Sequence, residues 1–150
     1  MAKPTTARWS KLLIELGDGG SPETFTAPCG LTSKGFNRSA TTSDTNVPDC
    51  DDPDAPVWTE RVATAFSAQV SGSGVLALDS LDAWDTWFSS GLTKNVRVTM
   101  DVPLANNGRY WTVPMVLTSF DLTGNTADGK CQVSVTMQSD GPVVMTPAAA

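Results

Sequence analysis

The stretch WTERVATAFSAQVSGSGV, residues 58–75, sets the fold class. Val62, Thr64, Phe66, Ala68 and Val70 share one parity, while Arg61, Ala63, Ala65, Ser67, Gln69 and Ser71 share the other. A period of two belongs to a β-strand, because successive side chains leave a pleated backbone on opposite sides. The first face is apolar enough to lie on a core, which makes Val62, Phe66 and Val70 candidate core anchors. The second face carries no large hydrophobe and expects water. Gly72-Ser73-Gly74 reads as the strand's end, since glycine permits backbone angles that other residues resist.

Upstream, WSKLLIEL at residues 9–16 alternates loosely and predicts a first strand, closed by Gly17-Asp18-Gly19-Gly20. Thr24-Phe25-Thr26 predicts a short second one. Residues 30–54 are polar and poor in apolar anchors; their first half, 31–42, predicts an extended hairpin because threonine is tolerated in strands. Residues 46–56 hold three prolines and four aspartates in eleven positions and predict a loop. A connection this long inside a compact domain is usually functional or ordered by a partner.

Downstream, Asp79 and Ser80 offer caps to a helix over about 80–90 that Gly91 ends. Leu81, Trp84 and Phe88 recur at helical spacing and predict its buried stripe, with Trp87 on the flank. Asp82 and Asp85 sit near its start, where the helix dipole favours negative charge. Val96, Val98, Met100 and Val102 alternate with polar residues, and Asn106-Asn107-Gly108 makes a turn. Residues 110–122 form another strand, interrupted by Pro114, which suggests an edge or a bulge. A loop over 123–129, tight at Asp128-Gly129, leads to a strand in which Val133 and Val135 face a core. Ser134 and Thr136 face the other way. Residues 142–150 read as a tail. The sum is a mostly β chain, a sandwich or barrel of seven or eight antiparallel strands with one flanking helix. It is one domain over 1–150, with a polar arm at about 30–56 and loose ends at 1–8 and 142–150.

Sixteen acidic against ten basic residues leave a formal charge of −6, which argues against wrapping nucleic acid. There is no histidine, so an ordinary Ser-His-Asp triad and imidazole ligation are both excluded. Gly72-Ser73-Gly74 follows a strand but has no partner base. Asp49, Asp51, Asp52 and Asp54 are the one metal candidate, yet they lack an EF-hand's glycine and terminal glutamate and read as a solvated acidic loop. Three cysteines without paired spacing read as reduced thiols. The start has no run long enough for a signal peptide, and nothing approaches a membrane span. The expectation is a soluble protein without enzyme chemistry, cofactor, metal or membrane binding.

In order, Cys29-Gly30-Leu31-Thr32 opens a polar hairpin, and Trp58 starts a long strand ending in Val70-Ser71-Gly72-Ser73-Gly74-Val75. Asp82-Ala83-Trp84 follows in the helix, and the closing strand runs from Cys131 into Ser139-Asp140-Gly141-Pro142-Val143. Over residues 29–144 this set resembles the major tail protein of long-tailed bacteriophages and gene transfer agents. The resemblance implies six-membered rings stacked into a hollow virion tail tube, made in the host cytoplasm. It implies a tape-measure protein in the bore, tail terminator and distal tail or baseplate proteins at the ends, and DNA passing without specific binding. On that reading Ser67, Gln69, Ser134 and Thr136 face the lumen. Lys34, Phe36, Asn37, Arg38, Thr41 and Asp44 belong to an arm that touches the next ring. Two other classes stay open: a related ring of a tail or secretion tube, and a monomeric β-sandwich binding module.

Overall fold

The computed structural model describes residues 2–124, 127 and 129–149, so the expected tight point at Asp128 lies outside the described residues. Eight strands form one antiparallel sheet: β1 (Leu12–Gly17), β2 (Phe25–Thr26), β3 (Leu31–Asn46), β4 (Thr59–Val75), β5 (Lys94–Met100), β6 (Arg109–Thr123), β7 (Gln132–Ser139) and β8 (Val144–Pro147). The order is β2-β1-β5-β6-β7-β4-β3, with β8 also on β6. One helix, α1 (Leu78–Ser90), connects β4 to β5.

The sheet curls without closing into a barrel. Its far strand β3 returns toward the first half of β6, where the Phe36 and Trp111 rings lie 5.6 Å apart. Inside the curl, Val70, Val96, Val98, Val113, Met115, Val135 and Met137 are fully buried, and Trp84 seals one side. Each such side chain contributes about 1.5–3 kcal/mol on removal from water.

Three register shifts break the ladders, at Thr32, Thr64 and Thr118. Each of these threonines is the extra residue, and each donates its hydroxyl to a carbonyl across the ladder: Ser73 O, Thr41 O and Thr136 O. A small β-branched residue with its own donor suits a bulge, where the regular pairing is lost.

Several expectations need correcting. β4 does not stop at Gly72-Ser73-Gly74 but stays paired through Val75. Those glycines are there because the start of β3 crosses close by: a Cβ on Gly74 would strike Gly30 O and Thr32 N, and one on Gly30, at φ 94°, would strike Val75 O. Val62 and Phe66 are not core anchors; they are 65% and 82% exposed. The core ends at Ala68, and β4 runs on past it as a hairpin with β3. Val62 does not even share the face of Phe66. The bulge at Thr64 sets Phe66 opposite Ala40 and Val62 opposite Ser43, an odd number of residues apart.

The helix starts at Leu78 with Ala77 as its uncapped N-cap, and only Asp79 lies in its first turn. Its buried pair is Trp84 and Trp87; Leu81 is half-buried and Phe88 is 46% exposed. Trp87 wins because its indole N–H donates to Leu92 O at 3.0 Å, just past the αL cap at Gly91. Trp9–Lys11 is a 3-10 turn ahead of β1, and part of the expected tail is β8. Pro114 marks neither edge nor bulge. Its missing N–H falls in the gap between β7 and β8, where its carbonyl accepts from Asp140 N at 2.7 Å. The Gly141 backbone packs on the Pro114 ring so closely that a Cβ would meet Cγ at 2.7 Å.

Candidate functional site

Where β3, β4, β7 and the second half of β6 run side by side, alternation sends one set of side chains into the core and the other outward. The outward set falls into rows across the four strands. Asn37, Gln69, Gln138 and Val116 form one row, Gly35, Ser71, Thr136 and Ser119 the next, and Ser33, Ser73, Ser134 and Asp121 a third. Ser39 and Ser67 extend the face upward, their hydroxyls 2.9 Å apart. Ser67, Gln69, Ser134 and Thr136, separated in the chain, thus lie on one surface.

The face is polar and nearly uncharged. Asp121 is the one ionised side chain in these rows. The two cations of β3 sit on the opposite parity, on the other side of the sheet: Lys34 Nζ lies 5.2 Å from the Trp9 ring, and the Arg38 guanidinium lies 5.5 and 5.3 Å from the Phe36 and Trp111 rings. Aromatic faces hold cations by their quadrupole, so the outward surface is left without Lys or Arg. Alternation locates this face in the sequence, but the rings beside Lys34 and Arg38 come from distant parts of the chain, Trp9 from the 3-10 turn and Trp111 from β6.

The predicted arm divides in two. Lys34, Phe36, Asn37 and Arg38 are part of the sheet body, opposite Gly72, Val70, Gln69 and Ala68. Their segment is polar because alternate residues, Ser33, Gly35, Asn37 and Ser39, belong to the outward face. Thr41 and Asp44 stand on the projecting section, where β3 and β4 pair only with each other. There Asp44 Oδ1 lies 3.3 Å from Arg61 Nε, and Thr59 donates to Asn46 Oδ1 at 2.8 Å. The pair is well exposed and contributes little to stability. Residues 47–58 cap the hairpin, with Trp58 91% exposed. Asp49, Asp51, Asp52 and Asp54 are all exposed, and among the described residues no three His, Cys, Asp or Glu side chains converge as metal ligands.

On the other side of the molecule Arg97 bonds Glu15 Oε2 at 3.2 Å and lies against the Phe25 and Tyr110 rings, while Thr99 donates to Glu15 Oε1 at 2.6 Å. This tie joins β1, β2, β5 and β6 and is structural. Among the described residues no helix is long and apolar enough to cross a membrane.

A family model described as phage tail tube protein matches residues 6–145. Among solved structures, the tail of an empty gene transfer agent particle, refined with C6 symmetry, shares 24% identity at TM-score 0.77, covering 94% of this chain and 99% of that one. The SPP1 tail tube shares 7% identity at TM-score 0.67, over 97% of this chain and 81% of that one. The sheath–tube complex of an extracellular contractile injection system shares 14% at TM-score 0.63, over 95% and 93%. At such identities these likenesses speak to the fold. No curated protein matches the chain.

Proposed function

The chain belongs to the phage tail tube protein family, a structural component of phage-like tails, and we propose on that premise that its copies close into six-membered rings and stack into a hollow conduit for DNA. The observation that carries this reading is the neutral polar face together with the two free margins of the same four strands. Among the described residues β3 has no partner strand on its outer side along its sixteen residues. The far side of β6 is free from Leu117 to Thr123, because β5 ends opposite Met115. Unpaired edges of this length invite further strands. Joining β3 of one copy to β6 of the next continues one ladder around a bore and covers the β6 edge with a matching length of β3.

Ser67, Gln69, Ser134 and Thr136 then line the lumen. Duplex DNA carries one negative charge per ~1.7 Å, so a wall without cations lets it slide. The hairpin beyond Ala40 bridges to the next ring through Thr41, Asp44 and the tip. Within such a tail a tape-measure protein occupies the bore during assembly, and terminator and distal proteins cap the ends.

Negative-stain microscopy of purified protein tests this directly: stacked rings are expected, and protein that remains monomeric at every concentration overturns it. Joining Ser43 to Val62 through an Asn-Gly turn, which removes residues 44–61, should leave rings that do not elongate; normal tubes from that variant overturn the bridging role.

A further inference from the structure

We infer that a groove at the base of the hairpin receives the first turn of α1 from a copy in the adjoining ring, a contact that rests on the stacked-ring reading above. The groove, of about 700 Å³, lies between the hairpin and the turn joining β7 to β8, with Phe36, Arg38, Ala40, Phe66 and Pro142 on its walls. Phe66 is a wall at 82% exposure, a large aromatic surface with nothing against it. Arg38 is stacked on two rings and makes no ion pair among the described residues. The groove therefore asks for an apolar side chain next to a carboxylate.

The strand registers show where such a pair lies. The groove opens at the Ser139 end of β7, where Ala68 N donates to Ser139 Oγ at 3.0 Å. β4 finishes at the other end, with Val75 opposite Gln132, and Leu76 N donates to Cys131 O at 2.9 Å two residues before α1 begins. Leu78 is 77% exposed there, and Asp79 beside it is the acid of the first turn. The eight residues of β7 separate the two ends by about 25 Å, so a chain does not fill its own groove. Two complementary patches at opposite ends make a heterologous contact, which runs on from ring to ring when its rotation does not close. In it Leu78 covers the Phe66 wall and the Asp79 carboxylate takes the Arg38 guanidinium, a charge-assisted pair away from bulk water.

The test replaces the exposed Cys29, Cys50 and Cys131 with serine and introduces Leu78→Cys and Ala40→Cys in one chain. Assembled material is mildly oxidised and run on a denaturing gel without reductant. A covalent ladder continuing well past the ring size is expected. A ladder that stops at the ring size places the turn in a neighbour of the same ring and overturns the inference, as do intact tubes without cross-links. In a second arm, Arg38→Glu should raise the concentration needed for elongation by about tenfold or more, and Asp79→Arg in the same chain should restore it. Elongation of Arg38→Glu at the unaltered concentration, or no recovery in the double variant, also overturns it. If the unaltered protein forms no tubes, it is the ring-stack reading that fails.

Discussion

Val70 and Phe66 sit four residues apart on one face of one strand, yet truncating them should have opposite consequences. Val70 is 0% exposed and pairs with Phe36 on one side and Met137 on the other. Val70→Ala removes two carbons from a closed site, about 1.6 kcal/mol at ~0.8 kcal/mol each. Incomplete collapse around the hole brings the loss to about 2–3 kcal/mol. For a chain of this size that lowers Tm by about 4–12 °C. Phe66→Ala removes a ring that is 82% in water and should move subunit stability by less than about 0.5 kcal/mol. It should instead suppress tube growth, because the ring becomes buried only between copies. The assay is thermal unfolding at a concentration below assembly, where association does not inflate Tm, with light scattering of concentrated samples alongside. Equal Tm losses for the two variants, with tube growth intact in Phe66→Ala, would refute the reasoning.

Other outcomes follow from single features. Trp84 is 2% exposed and stacks with Trp87 and Phe120 at 6.1 and 6.5 Å, so Trp84→Ala should cost about 3–5 kcal/mol in denaturant unfolding and release α1. Asp18 accepts from Gly20 N at 2.8 Å and Thr24 N at 3.0 Å, bonds that hold its pKa below the ordinary 3.8. The folded form thus prefers the charged group: the loop's closure is fully present above that ordinary value and is lost as pH falls through the lowered one. Amide exchange of Gly20 and Thr24 should accelerate there relative to an Asp18→Asn chain, whose loop shows no such step. Ser134→Lys should leave subunit unfolding unchanged within about 0.5 kcal/mol while making DNA release from assembled particles slower at low salt than at high salt; salt-independent release would remove Ser134 from the bore.

The sequence by itself determined the class of this protein. Alternation along 58–75 and 131–138 and a single aromatic helical segment are local signals. Backbone geometry converts them to strands and a helix without reference to the rest of the chain. The absence of histidine and the scarcity of cations narrowed the function in the same local way. What periodicity could not give was extent. Val62, Phe66 and Val70 satisfy one pattern, but only the packing of β7 and α1 decides that burial stops at Ala68. One bulge residue, Thr64, then reverses every face beyond it. Trp87 in place of Phe88, β8 in the apparent tail, and cations resting on Trp9 and Trp111 share that cause. Each depends on a partner distant in the chain, and burial is a property of the pair of surfaces that meet.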